Sequence, residues 1–540
     1  MSSTKIAKGS LVMLIGSFIF RIGGFVYRIS LAYLLGPTGY GILGLTLPLI
    51  GVLQLSAEGG IPPAIAKYIA QYEALNQPAM IRQIIKTSFK LIIVMGLLLS
   101  LTIFILAKPL ALDVLHQPLA VVPFQAVALI TPFSVITGEL KGVFQGFYQM
   151  RNLVITKAFE QSFTITFAIL LIIANFYVAG AVIGTAIGYM AAGVAAFILF
   201  RKHVWKHIKG KPRRSRRLNP HNHNDTFTFR KELRLVKMLI FFSVPVVFSS
   251  LGELFMYDMG TWVIGAYLPA QFVGYYAAAS PIARLPLIIS MSVATAVLPA
   301  TSAALSVNNR DLITTYVNQA YRYVIIVVLP ASLGIAVLAT PIISLIFPGY
   351  ELGSEALKIL ALGMLFFTLY TVSGSIAQGM GKPVIPMVAL AIGTVIELSL
   401  SVVLVPKYGI NGAALATTIS TFLLMVMVAW RTLMHVKVRL HYGDFGKIVI
   451  ASVIMAIILL LIPTTYAYTS AYHMSIAKIL AFVYIMVLAL IGALIYIFIL
   501  TLIGGVKKND VDAFMKLGNK LGPLAPFIRK LAILLMRFAT

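Results

Sequence analysis

Near its N-terminus the chain reads GSLVMLIGSFIFRIGGFVYRISLAYLLG, from Gly9 to Gly36. This stretch is long and apolar enough to cross a bilayer as a helix, which takes about 20 residues. It nevertheless contains Arg21 and Arg28, and an arginine at the bilayer centre costs about 2.5 to 3.5 kcal/mol on insertion scales. The two arginines are about two helical turns apart, so they project from nearly the same face. We expect this face to line a protein interior or a wet cavity, unless one or both side chains extend to the lipid headgroups.

The composition is that of a membrane protein. Of 540 residues, 60% are hydrophobic and 11% are charged, with a mean hydropathy of +0.95, whereas soluble domains have roughly 25% charged residues. The first apolar stretch lacks a small-residue cleavage site and is too long for a secretory signal, so we expect no cleavable signal peptide. The chain has no cysteine, which excludes disulfides, iron–sulfur clusters and thiolate zinc sites.

Hydropathy predicts an all-α polytopic membrane protein with about 14 transmembrane helices. The predicted spans are 9–35, 41–60, 87–108, 119–140, 153–175, 177–200, 236–262, 271–300, 320–340, 356–377, 384–405, 410–430, 447–466 and 477–504.

The positive charges are distributed unequally between the two sides of these spans. With the N-terminus placed inside, 36 of the 43 Lys and Arg residues lie on the inner side or at inner span ends, and four lie on the outer side or at outer span ends. The other three, Arg21, Arg28 and Arg284, lie deeper within spans. Because positively charged loops stay in the cytoplasm, we expect a multi-pass protein of the cell membrane with both termini cytoplasmic. The same rule explains the net charge of +27, so we expect no nucleic-acid partner.

The first twelve spans contain an internal repeat. Four anchors recur in order, namely Gly41–Pro48 with Gly274–Pro281, Pro63-Ala64 with Pro299-Ala300, Gln145-Gly146 with Gln378-Gly379, and Gly180-Ala181 with Gly412-Ala413. The repeat predicts two six-helix lobes, related by a pseudo-twofold axis along the membrane normal, plus two extra C-terminal helices. A transport site is then expected between the lobes.

The predicted domains follow from this repeat. They are an N-terminal six-span lobe (1–205), a basic cytoplasmic linker (206–235), a C-terminal six-span lobe (236–440), spans 13 and 14 (441–504) and a cytoplasmic amphipathic tail (505–540). We expect the tail to lie on the anionic inner leaflet. The linker is interpreted as a tether and topology signal, with anionic-lipid contact as the alternative. In span six, Gly180, Gly184 and Gly188 are spaced for close helix packing.

Polar residues within the spans provide the available chemistry. The acids within or at the edges of spans are Glu58, Glu139, Glu160, Glu253, Asp258 and Glu397. Glu160 and the adjacent Gln161 are candidates for the cavity. Glu253 and Asp258 are candidates for pairing with Arg284 or, with Glu58, for coupling to an ion. No hydrolase triad or phosphate-cradling glycine loop is found. His221 and His223 with Asp225 are too weak a metal signal, so we expect no catalytic residue, metal site or cofactor.

Several motifs, taken together, resemble those of the multidrug/oligosaccharidyl-lipid/polysaccharide (MOP) exporter superfamily. Within it the chain looks most similar to the polysaccharide transporters and stage V sporulation protein B-like flippases. The motifs are Lys8-Gly9-Ser10, Arg21-Ile-Gly-Gly, Leu35-Gly36-Pro37-x-x-Tyr40-Gly41, Lys141-Gly-Val-Phe-Gln-Gly146, Glu160-Gln161, Gln378-Gly-Met-Gly-Lys-Pro383 and Lys407-Tyr-Gly-Ile-Asn-Gly-Ala413. Each is loose, but their order and spacing cover nearly the whole chain.

The resemblance implies a two-lobe transporter that moves polyprenyl-diphosphate-linked sugars by alternating access. In the related lipid II flippases, cavity arginines on spans one and eight bind the diphosphate, and Arg21, Arg28 and Arg284 match those spans. Those flippases also use an arginine on span two, where this chain has Gln54 and Glu58. Some relatives have an arginine one turn after the Glu-Gln of span five, where this chain has Thr164. Both departures make the expected cavity less cationic.

Our interpretation is a flippase for a lipid-linked oligosaccharide or cell-wall precursor, with Arg21, Arg28, Arg284, Glu160 and Gln161 as substrate-binding candidates. We expect a monomer whose partners are an anionic lipid-linked sugar and anionic inner-leaflet lipids. The first alternative is a cation-coupled multidrug exporter of the same superfamily. The remote alternative, from another class, is a membrane glycosyltransferase or ligase.

Overall fold

The computed structural model of the protein describes residues 3–58, 60–206, 208, 229–307, 309–436, 442–463 and 475–507. These residues form helices joined by short turns, and no strand occurs among them. Most of the predicted linker, the loop after span 13 and the predicted tail from residue 508 lie outside the described residues.

The chain divides into two compact units, Met1–Gly274 and Tyr275–Thr540. The first unit contains α1 (Ser3–Glu58), α2 (Ile61–Ala74), α3 (Pro78–Pro109), α4 (Val121–Gly146), α5 (Met150–Leu171), α6 (Tyr177–Leu199), α7 (Phe229–Tyr267) and the start of α8 (Ala270–Ala283). The second unit contains the end of α8 and then α9 (Leu287–Ser306), α10 (Arg310–Val337), α11 (Ala339–Ile346), α12 (Gly353–Gly379), α13 (Val384–Val436), α14 (Tyr442–Leu461) and α15 (Ser475–Leu502). The boundary falls within predicted span eight, whereas the predicted second lobe begins at residue 236, so the two six-span lobes stay a prediction.

Eleven helical stretches in the described residues are long and apolar enough to cross a membrane. Three of them, of 58, 56 and 52 residues, contain non-helical residues at Gly36, Asn175 and Gly409. Gly36 and Gly409 lie in the loops predicted after spans one and eleven, and Asn175 is the last residue of predicted span five. Gly36 has a φ of +64°, which glycine adopts without the penalty of a Cβ. The all-α polytopic class is thus confirmed, and the fourteen crossings themselves stay a prediction.

Span eight, predicted as one helix over 271–300, is interrupted in the structure. Helix α8 ends at Ala283, a turn follows, and α9 begins at Leu287. Within the turn, the amide of Leu285 bonds the carbonyl of Ile282 at 3.2 Å, a tighter i to i−3 bond. Pro286 explains the break, because proline has no N–H and disfavours a helical conformation at the preceding residue.

Glycines bring the helices of the first unit close together. A Cβ at Gly184 would lie 2.4 Å from the backbone nitrogen of Ala168, and one at Gly188 would lie 2.7 Å from the Glu160 carbonyl oxygen. The predicted close-packing face of span six is therefore confirmed, and its partner is α5. The contact fixes the height of Glu160 against α6.

The repeated anchors have similar surroundings in the two units. A Cβ at Gly146, at the end of α4, would lie 3.0 Å from the Ala66 carbonyl oxygen of α2. At Gly379, the matching end of α12, it would lie 2.6 Å from the Leu298 carbonyl oxygen of α9. Each glycine thus permits the same kind of close approach, which supports the repeat.

The last two helices pack on α10 within the second unit. Their apolar side chains form one cluster with those of α10, including Met455, Leu459 and Tyr496. The buried Arg322 of α10 donates a hydrogen bond of 2.6 Å to the Gly505 carbonyl oxygen, just after α15. Because hydrogen bonds to a charged group contribute about 1.5 to 3 kcal/mol, this contact anchors the end of α15.

Candidate functional site

Helix α1 places Arg21 and Arg28 within one continuous helical segment, as predicted. Arg21 is exposed on the surface of the first unit, and Arg28 is half-buried. A guanidinium has five N–H donors in a planar fork, which suits it to bind an anion.

Gln161 joins α5 to α1 beside these arginines. Its side-chain nitrogen donates a hydrogen bond of 2.9 Å to the carbonyl oxygen of Phe20, the residue before Arg21. A Cβ at Gly23 would lie 2.9 Å from that nitrogen, so the glycine makes room for the amide. The Gln161 side-chain oxygen is buried and has no hydrogen-bond partner among the described residues. Gln161 therefore holds the helix backbone at the level of Arg21 and keeps an acceptor available.

Glu160, the preceding residue, is buried and lies between two lysines. The Lys141 ammonium of α4 contacts one of its carboxylate oxygens at 2.7 Å, and Lys157 of α5 contacts the other. Lys141 also lies 6.0 Å from the centre of the Tyr189 ring. Two ammonium groups share one carboxylate, so the cluster Lys141–Glu160–Lys157 has a surplus of one positive charge.

The two lysines were not among the residues predicted for the site. In the sequence both belong to the inner-side positive charges, and Lys141 also begins one of the motifs that resemble the MOP superfamily. Lys157 is three residues before Glu160 on the same helical face, a spacing at which side chains meet, so its pairing was readable from the sequence. Lys141 is on another helix, and its contact depends on how α4 packs against α5.

The remaining predicted site residues are distributed over other helices. Glu253 is exposed and Asp258 half-buried on α7 in the first unit. Glu58 belongs to α1, and its side chain lies outside the described part. Arg284 belongs to the second unit, in the turn between α8 and α9, where its amide bonds the Ser280 carbonyl oxygen at 3.2 Å.

Two further acids are fully buried and have hydroxyl groups as neighbours. Glu139 on α4 is hydrogen-bonded to Ser88 on α3. Glu397 accepts a hydrogen bond of 2.8 Å from Thr417 within the second unit. Among the described residues no group of three or more His, Cys, Asp or Glu side chains is arranged to hold a metal ion, and the weak signal around His221 lies outside them.

These features define a polytopic helical membrane protein whose first unit has cations within and beside its apolar helices. The model of the family described as polysaccharide biosynthesis protein matches residues 6–305, and the chain belongs to this family. The MatE family model matches residues 245–403. The two matches confirm the resemblance to the MOP superfamily.

Similarity to known proteins extends over most of the chain. The membrane protein YabM of Bacillus subtilis is 27% identical over 434 residues, which cover 77% of each chain. Stage V sporulation protein B of the same organism is 23% identical over 85% of this chain and 90% of its own. A solved structure of the lipid II flippase MurJ, in an inward closed conformation, has a TM-score of 0.69 at 18% identity, and the match covers 91% of this chain and 98% of that one. At this identity the structural match shows the fold alone.

Proposed function

We propose that the protein is a transporter and not an enzyme, and that it moves a polyprenyl-diphosphate-linked oligosaccharide or cell-wall precursor from the inner to the outer leaflet. The observation that carries the proposal is the surplus of cations in the first unit. Arg21 and Arg28 lie within α1, and the cluster Lys141–Glu160–Lys157 adds a net positive charge. Such charges are costly in an apolar environment unless a partner compensates them.

A diphosphate headgroup suits this set of donors. The planar fork of arginine binds phosphate oxygens in pairs, and each lysine ammonium has three donors. The lipid tail can stay in the bilayer while the headgroup crosses by alternating access. Because the cell interior is electrically negative, outward movement of an anion is assisted by about 2.3 kcal/mol per charge per 100 mV.

Arg284 is part of the same proposal. It lies at an interruption of the helix, and interrupted helices commonly form the substrate sites of transporters. Membership of the polysaccharide biosynthesis family supports a lipid-linked sugar as the cargo. We place the protein in the cell membrane as a monomer with both termini cytoplasmic, in contact with anionic inner-leaflet lipids.

A second candidate is a cation-coupled multidrug exporter. The match of the MatE model to residues 245–403 favours it. This function needs an acid that binds the coupling ion, for which Glu253, Asp258 and Glu58 are the candidates. Only the first function needs cationic side chains to bind its cargo, so the two functions respond differently to removal of the arginines.

The test is transport of a polyprenyl-diphosphate-linked sugar by the full chain in liposomes, normalised to folded protein. Replacement of Arg21, Arg28 or Arg284 by Gln is expected to reduce transport severely, and replacement by Lys partially, because lysine keeps the charge and loses the fork. Arg310→Gln is the matched control, since Arg310 is an exposed residue at the start of α10. Normal transport by all three Gln variants would overturn the cationic mechanism. The exporter would be favoured if the wild type transports no sugar lipid and drug export persists in the three Gln variants.

A further inference from the structure

The carboxyl group of Glu139 on α4 is completely buried. Neither Glu139 nor its partner Ser88 has any exposed surface. One oxygen of the Glu139 carboxyl lies 2.5 Å from the Ser88 hydroxyl oxygen. The other is buried and has no hydrogen-bond partner among the described residues. An ionised carboxylate in such a place would have its charge compensated by one hydroxyl at most.

The hydrogen bonds of the Ser88 hydroxyl indicate whether the Glu139 carboxyl is protonated or ionised. The Ser88 hydroxyl oxygen lies 2.8 Å from the Ile84 carbonyl oxygen and 3.1 Å from that of Ile85. A hydroxyl has a single proton to donate. If the Glu139 carboxyl is protonated, it donates to the Ser88 hydroxyl, and that hydroxyl donates to the Ile84 carbonyl oxygen, so both protons form a hydrogen bond. If Glu139 is ionised, Ser88 must leave the carbonyl, and a buried charge remains almost unpaired, which is strongly unfavourable.

Charged groups on the neighbouring helices do not change this balance. Among the described residues only Ser88 interacts with the Glu139 side chain. On α5 and α4, Lys157 and Lys141 contact Glu160. On α3, Lys90 contacts Glu232 at 2.9 Å. Lys67 of α2 lies over the Tyr68 ring, Tyr189 of α6 lies 6.0 Å from the Lys141 ammonium, and Lys86 of α3 and Arg21 of α1 are exposed. Arg82 of α3 and Arg28 of α1 are half-buried, and neither acts on the Glu139 carboxyl.

Close helix contacts seal the carboxyl on both sides along α4. Four residues before it, Val135 packs where a Cβ at Gly96 of α3 would be 2.9 Å away. Three residues after it, a Cβ at Gly142 would lie 2.7 Å from the Pro62 carbonyl oxygen of α2. Loss of the Glu139 proton to water therefore requires a change in how α4 packs against its neighbours.

We propose that Glu139 is a proton-binding site whose proton is held while α4 is packed against α2 and α3 and is released when they part, so that proton binding drives the conformational cycle. Glu139 lies seven residues before the end of α4, about 10 Å along the helix. Under the predicted topology this end faces the cytoplasm. The inference rests on the proposed function only in requiring that the protein transports a cargo, and it assigns the coupling ion to a residue other than Glu253, Asp258 and Glu58.

The first test detects the proton without transport. Infrared difference spectra of the full chain in lipid nanodiscs should show a protonated carboxyl at neutral pH that is missing in Glu139→Gln. Glu355→Gln, which alters an exposed glutamate paired with Lys358, should keep the band. Glu139→Asp should shift it, which allows assignment if the Gln variant does not fold. Absence of the band in the wild type, or a band unchanged in both Glu139 variants, would overturn the proposal.

The second test measures coupling in liposomes with an imposed pH difference. If one proton moves per cycle, a difference of one pH unit changes the transport equilibrium about tenfold. Glu139→Gln imitates the protonated form, so it should fold and bind cargo but lose the whole gradient response. If Glu139 has only a structural role, Glu139→Gln should keep the full response to the pH difference, and this result would overturn the coupling. If the wild type moves no sugar lipid but the infrared band belongs to Glu139, the proposed function fails and the proton site stands.

Discussion

Replacing Glu160 by Gln tests whether the cluster Lys141–Glu160–Lys157 is formed as the structure shows. The Glu160 side chain is 6% exposed and accepts from both lysines, one at 2.7 Å. Glutamine keeps the size of the side chain and removes the only negative charge between two ammonium groups. The variant therefore measures charge compensation and not the filling of space.

The size of the effect lies between two limits. Removing one partner of a fully buried ion pair costs about 3 to 5 kcal/mol, and removing an exposed one costs about 0.2 to 1 kcal/mol. Lys157 is 44% exposed and Lys141 27%, so the first can turn towards solvent more easily than the second. We expect Glu160→Gln to lower the free energy of unfolding by about 1 to 3 kcal/mol.

The assay is a titration with sodium dodecyl sulfate in mixed micelles, followed to complete unfolding. Glu355→Gln is the control, because Glu355 also pairs with a lysine three residues away but is 60% exposed. It should cost less than about 0.5 kcal/mol. Replacing Lys141 by Met in the Glu160→Gln background should restore part of the loss, since apolar replacement of both partners removes the unpaired charge. A cost for Glu160→Gln no larger than that of the control would refute the cluster.

Two further predictions concern packing and orientation. Gly142→Leu should reduce the yield of folded, monodisperse protein, because a Cβ there would lie 2.7 Å from a backbone oxygen of α2 and overpacking costs about 1 to 3 kcal/mol. The control Gly334→Leu should keep the yield, because nothing lies within 4 Å of an added Cβ there. Equal yields of the two variants would contradict the helix contact. A cysteine at position 408 should react with an impermeant reagent added to intact cells, and one at position 214, outside the described residues, should not; the reverse pattern would refute the orientation.

Much of the fold was predictable because it depends on local sequence. Apolar stretches place the helices, and the glycines at 36 and 409 lie between predicted spans. The interruption after Ala283 was missed because the surrounding stretch is apolar, although Pro286 marks the position. In these cases the glycine or proline lies within a few residues of the helix interruption that it causes.

The site was less predictable because its contacts join distant parts of the chain. Lys141 and Glu160 are 19 residues apart, and Ser88 and Glu139 are 51 apart. Hydropathy identifies each acid as lying within a span, but it contains no information on which side chain of another helix compensates it. Gln161 was selected from its motif, yet its bond to the backbone beside Arg21 depends on the packing of α5 against α1.

The way each acid is compensated bears on the choice between the two proposed functions. A cation-coupled exporter needs an ionised acid that can bind the coupling cation, but Glu160 is occupied by two lysines. Glu139 has the Ser88 hydroxyl as its described hydrogen-bond partner, an environment that favours a neutral carboxyl. The first unit therefore presents more positive than negative charge around α1, which suits a diphosphate. Glu139 can serve only for coupling to a proton, so Glu253, Asp258 and Glu58 remain the candidates for an exporter coupled to another cation. These acids, and not the cluster around Glu160, decide between the two functions.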